Sequence, residues 1–118
     1  MINEPHLLCI DDDDKIRELL KIYLKSKSFK VTTASDATEA TNLIDYFLFD
    51  LIILDIMMPG KSGLEFIKDN KKKLITPIIL LTAKGEPGER IEGLEIGADD
   101  YLPKPFEPKE LILRIQNI

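Results

Sequence analysis

Two adjacent aspartates, Asp11 and Asp12, a third at Asp55, a threonine at Thr82 and a lysine at Lys104 are the residues of this 118-residue chain whose types could jointly do chemistry. Carboxylates gathered in one crevice repel one another, so a hard divalent cation is their natural partner. Mg²⁺ takes oxygen ligands, keeps several waters and needs only two or three carboxylates plus a carbonyl. Ca²⁺ fits less well, because the run Asp11-Asp12-Asp13-Asp14 lacks the spaced oxygens and the glycine of an EF-hand loop. A hydroxyl and an ammonium beside such an ion would hold phosphoryl oxygens, and a carboxylate among them would be the nucleophile. That chemistry is phosphoryl transfer, with Asp55 as the acceptor that forms an acyl phosphate. Singly, each residue has a plainer role: Asp55 as a strand end or helix cap, Thr82 as a strand-end hydrogen bonder, Lys104 as one surface lysine among many. Only convergence separates the two readings.

The elements that must position these residues are legible from apolar runs and turn signals. Asp55 closes the run Asp50-Leu51-Ile52-Ile53-Leu54, and Pro59-Gly60 turns the chain at once. Four apolar residues without alternation suit a strand covered on both faces, as in a parallel sheet. Leu7 to Ile10 is a first strand, and the four acids follow it before a helix striped by Ile16, Leu19, Leu20, Tyr23 and Leu24. Asp13 and Asp14 read as the solvated start of that helix, one of them capping it. Lys30 to Thr33 is a second strand. Asp36 with Glu39 forms a capping box for a helix with Ala40, Leu43, Ile44 and Phe47 inward, and Ser62 with Glu65 forms another for a helix ending about Asn70. The following lysines, Lys71 to Lys73, read as a solvated helix end.

Ile78 to Leu81 is a fourth strand, ending on Thr82. Glu86-Pro87 starts a fourth helix that Gly97 closes, Asp100 to Pro103 leaves room for a short fifth strand, and Pro108 opens a last helix with Leu111, Ile112 and Ile115 inward. Strand then helix, five times over, predicts an α/β fold: a doubly wound (βα)5, flavodoxin-like domain with a five-stranded parallel sheet in the order 2-1-3-4-5 and helices on both faces. In that order the switch point lies between strands one and three, which brings Asp11-Asp12 beside Asp55. The apolar stripe of the last helix still runs at Ile118, so the polypeptide is expected to continue.

Composition excludes several classes. Hydrophobic residues make up 44% and charged residues 31%, as in one ordinary globular domain rather than a disordered segment. A net charge of −5 argues against direct nucleic acid binding and for a protein partner. The single cysteine, Cys9, rules out an internal disulfide, reads as core filler and fits a reducing, cytoplasmic setting. No apolar run is long enough to span a membrane, and the first residues lack a signal peptide. A phosphatase with an aspartyl nucleophile would want a second acid two residues later, where Met57 stands. A flavin module would not place four aspartates where the flavin phosphate must sit.

With these residues in hand the chain resembles the receiver domain of bacterial response regulators, the CheY-like family. The likeness rests on Leu8-Cys9-Ile10-Asp11-Asp12-Asp13, on Asp50 through Gly60, on Pro77 through Ala83 and on Gly97 through Phe106. The resemblance implies that Asp55 accepts a phosphoryl group from the phosphohistidine of a sensor histidine kinase. It implies that Asp11, Asp12, Asp55 and the Met57 carbonyl hold Mg²⁺, and that Thr82 and Lys104 contact the phosphoryl oxygens. A cis bond before Pro105 would aim Lys104 inward. Tyr101 matches the switch aromatic that follows the threonine, and Met57 and Lys84 stand where dephosphorylation is tuned. Apolar Met57 is expected to help an attacking water little.

The tail is most similar to the OmpR/PhoB subfamily, whose members carry a winged-helix DNA-binding domain after the receiver. Residues 1–118 would then be the receiver domain alone, without that output domain. In the subfamily the fourth helix, fifth strand and fifth helix form a homodimer face on phosphorylation. Arg90 with Glu110, and Asp99 or Asp100 with Arg114, match its cross-chain ion pairs. A free-standing receiver that acts through protein contacts or a phosphorelay is the alternative.

Overall fold

Strand and helix alternate as β1 (His6–Ile10), α1 (Asp14–Ser26), β2 (Lys30–Ala34), α2 (Ala37–Tyr46), β3 (Leu51–Asp55), α3 (Gly63–Asn70), β4 (Ile78–Thr82), α4 (Pro87–Glu95), β5 (Asp100–Pro103) and α5 (Pro108–Gln116). The computed structural model describes residues 4–72, 74–82 and 87–118, apart from the side chains of residues 87–90. The strands form one sheet in the order β2-β1-β3-β4-β5, every neighbouring pair parallel, as the alternation predicts. Every residue of β3 and β4 is buried, which explains why their sequences do not alternate.

Successive residues of a strand point to opposite faces, and two apolar layers result. Leu8, Ile10, Ile52, Leu54 and Leu80 pack with Ala40, Leu64 and Ile67 of α2 and α3. Leu7, Cys9, Leu51, Ile53, Ile79 and Leu81 pack with Leu20 and Leu24 of α1 and with Leu111, Ile112 and Ile115 of α5. Gly93 lets α4 lie on the first layer, where a Cβ would run into Leu80. Cys9 is filler, as expected: burial first, and Asp11 next, push its thiol up to about 12.

Helix starts follow the predicted chemistry with one exception. Asp13 caps α1, accepting from the amides of Lys15 (2.8 Å) and Ile16 (3.3 Å). Ser62 and Glu65 close a full capping box at α3, with both bonds at 3.2 Å. At α2 only half of the expected box forms: Asp36 accepts from the Glu39 amide at 2.8 Å, while the Glu39 carboxylate accepts instead from the Ser35 hydroxyl at 3.5 Å. Three apolar expectations also need correction. Leu19 is 57% exposed, because a helix lying on a sheet buries a stripe narrower than five residues. Phe47 falls just past α2, where the backbone is already extended, and it stands half exposed against Phe49 and His6. The last helix stops at Gln116 with Asn117 as its C-cap, short of Ile118.

Candidate functional site

Register decides which side chains meet. Ile10 pairs with Leu54, so the next residues, Asp11 and Asp55, emerge level with one another on neighbouring strands. Both keep the parity of the layer facing α1 and α5, the side from which the β5–α5 loop approaches. On the other flank Leu81 pairs with Leu102 and Thr82 with Pro103, which places Lys104 one residue past the sheet. The Lys104 amide donates to the Thr82 carbonyl at 2.6 Å and fixes that loop to the end of β4.

The side chains of Asp11, Asp12, Asp55 and Lys104 come together at this edge. Lys104 Nζ lies 2.7 Å from Asp11 Oδ2 and 3.6 Å from Asp55 Oδ1, and bridges the two acids. Asp11, Asp55 and Thr82 are buried, whereas Asp12 is exposed. One oxygen each from Asp11, Asp12 and Asp55 lies within 4.8 Å of the others, close enough to share a cation. All three donors are hard carboxylate oxygens, two of them withdrawn from water, and such a set suits Mg²⁺. Burial, and then the neighbouring Asp11, raise the Asp55 carboxyl to about 6, although Lys104 and a backbone hydrogen bond from Met57 pull the other way. A carboxylate held at that cost is one that a cation would relieve. The Lys104–Pro105 bond is cis. Met57 stands two residues past Asp55 with its side chain exposed, and Lys84 lies outside the described residues.

Two further residues build the site without having stood out in the sequence as parts of it. Gly63, the first residue of α3, donates its amide to the Ile56 carbonyl at 2.9 Å. A Cβ there would overlap the Asp55 carbonyl oxygen, so glycine is what lets α3 close under Asp55. Arg17 of α1 reaches back, its Nη1 donating to the Asp11 carbonyl at 2.7 Å while Nη2 pairs with Asp14. The Asp14–Arg17 spacing of three is legible as a helix pair. The reach to Asp11 is not, because it depends on how the loop curls.

Tyr101 is buried, opposite Leu80 and within the α2/α3 layer. The residues matched to a dimer face divide. Arg114 Nη1 grips Asp100 at 2.8 and 3.0 Å and Nη2 reaches Glu110 at 3.2 Å, all within one chain. Those carboxylates raise the Arg114 guanidinium further. Asp99 instead accepts from the Ile78 amide at 2.9 Å and ties β5 to the start of β4. The Arg90 side chain lies outside the described residues.

A family profile described as the response regulator receiver domain matches residues 7–116. The chain is 59% identical over 114 residues to Protein PetR of Rhodobacter capsulatus, covering 97% of this chain and 48% of that protein. It is 44% identical over 114 residues to the transcriptional regulatory protein ResD of Bacillus subtilis, with the same 97% and 48% coverage. The chain thus spans about half the length of the curated relatives it matches. Among solved structures, the chemotaxis protein CheY4 of Vibrio cholerae superposes with a TM-score of 0.92 at 34% identity, over 98% of this chain and 99% of that one.

The chain belongs to the receiver domain family of two-component response regulators. Receiver domains are phosphoacceptor switches rather than enzymes in the ordinary sense; histidine kinases phosphorylate them, and they bind Mg²⁺ at an acidic pocket of the kind Asp11, Asp12 and Asp55 form here. Among the described residues no helix is long and apolar enough to cross a membrane.

Proposed function

We propose that Asp55 accepts a phosphoryl group from the phosphohistidine of a partner kinase. The observation that carries this reading is the meeting of buried Asp55 with Asp11 and Lys104 at adjoining strand ends. A carboxylate oxygen of Asp55 attacks phosphorus, the bond from phosphorus to the histidine nitrogen breaks, and the imidazole leaves. Lys104 and the Thr82 hydroxyl hold the phosphoryl oxygens, and Asp11 and Asp12, with Asp55 and the Met57 carbonyl, hold Mg²⁺. The ion supplies charge neutralisation for the oxygens of the transferring group. Because Lys104 already contacts both buried acids, its ammonium needs little movement to follow the charge from carboxylate to phosphate.

The output we propose is dimerisation through α4, β5 and α5, with Thr82 and Tyr101 relaying occupancy of the site to that surface, and control of transcription by a following winged-helix domain. Exposed Ile91, Leu94 and Leu113 on α4 and α5 support the dimer face, and the double length of PetR and ResD supports a further domain. A free-standing switch is the second reading, favoured by the full-length match to CheY4. The test is intact mass after incubation with phosphoramidate, with and without Mg²⁺, on this chain and on Asp55→Asn, followed by size-exclusion chromatography. A gain of one phosphoryl group that needs both Mg²⁺ and Asp55 is expected, together with a shift to dimer. Uptake by Asp55→Asn would sink the assignment, and a modified monomer would favour the free-standing switch.

A further inference from the structure

We propose that Arg17 is a positioning residue for this site: it fixes the peptide between Asp11 and Asp12 and thereby the placement of the Asp12 carboxylate. The inference rests on the reading of Asp11, Asp12 and Asp55 as the acids that hold the cation.

A guanidinium on the first turns of a surface helix would ordinarily reach into water, yet the Arg17 side chain is only 18% exposed. Its partner Asp14 is 88% exposed, and a pair to so open an acid contributes little. The contact that accounts for drawing Arg17 inward is the one to the Asp11 carbonyl at 2.7 Å. With it, every polar group of Asp11 is engaged. The amide donates to Ala34, Oδ1 accepts from the Asp13 amide at 2.9 Å, and Oδ2 accepts from Lys104. Asp12 differs: its carboxylate is exposed and no hydrogen bond among the described residues holds it. Its position is therefore set by the backbone beneath it, and Arg17 holds the carbonyl of that peptide. The planar fork lets one side chain bond the carbonyl and Asp14 together, which an ammonium does not reproduce.

The positioning role predicts the opposite sign from simple electrostatics. Removing a cation beside three carboxylates should tighten Mg²⁺ binding if charge were all that mattered. Loss of positioning should weaken it. The experiment is calorimetric titration with Mg²⁺ alone of the unaltered chain, Arg17→Met, Arg17→Lys and Asp14→Asn, with denaturant unfolding to verify the folded fraction.

Arg17→Met keeps much of the stem and is expected to raise Kd about tenfold, as outer partners of metal ligands do. Asp14→Asn should change Kd by less than about threefold, as befits an exposed charge. The Mg²⁺ concentration giving half-maximal phosphorylation by phosphoramidate should rise with Kd, while the rate at saturating Mg²⁺ stays put; a purely structural role would not give that split. Unchanged or tighter binding in Arg17→Met overturns the proposal. If Arg17→Met does not fold, Arg17→Lys decides the matter: weaker binding supports the proposal and an unchanged Kd overturns it. Should the unaltered chain bind no Mg²⁺, the site reading itself falls, a result distinct from failure of the Arg17 variants alone.

Discussion

In loops at the amino-terminal end of the sheet Leu48 and Ile75 are 95% and 98% exposed, although Leu7 and Leu51 within the adjoining strands are buried. At the carboxyl edge of the same strands the pattern inverts: Asp11, Asp55 and Thr82 are buried, and two of them are acids. One end leaves apolar groups in water, which costs little, and the other withdraws charges from water, which costs much. The apolar middles of β1, β3 and β4 therefore support a rim that would not hold itself together. In β3 a single residue step, from Leu54 to Asp55, separates apolar core from buried acid.

The strand middles, the acidic rim and the open loops should respond differently to substitution. The largest loss is expected in the middle: Leu54→Ala, at a side chain with no exposure, should lower unfolding stability by roughly 2–5 kcal/mol in urea. A smaller effect of opposite sign is expected at the rim. The Asp55 carboxyl titrates near 6 when folded and near 3.8 when unfolded, so between those values the unfolded chain gives up its proton and the folded chain keeps it. Stability of the metal-free protein should fall as pH rises through that interval, by about 1–3 kcal/mol, and stay low above it. Asp55→Asn should flatten this dependence and be the more stable protein at neutral pH; equal pH profiles would show that burial there is not costly. The smallest effect belongs to the open end, where Leu48→Ser should leave stability within about 0.5 kcal/mol.

These effects mirror what the sequence could disclose. Runs such as Leu51-Ile52-Ile53-Leu54 identify a strand because burial on both faces removes the need for polar residues, and register then carries Asp11 and Asp55 to the same level. Capping residues were equally legible, since Asp13 and Ser62 act on amides two or three positions away. Leu19 and Phe47 were not, because helical period alone does not say how wide a stripe the sheet will cover or where the helix will stop. Arg17 and Gly63 act on backbone carbonyls, of Asp11 and of Asp55 and Ile56, and a carbonyl leaves no mark on residue type. Arg114 shows a middle case: the resemblance names Asp100 as a partner across chains, while the grip within one chain depends on how α5 lies beside β5.

The ion pair between Asp11 and Lys104 joins residues 93 positions apart, one beside the centre of the sheet and one beyond its edge strand. During synthesis the acids therefore leave the ribosome well before their counter-cation. A nascent chain that ends short of position 104 has the carboxylates but no Lys104 ammonium to close on them. Closure of this ion pair is in this way tied to completion of the whole sheet.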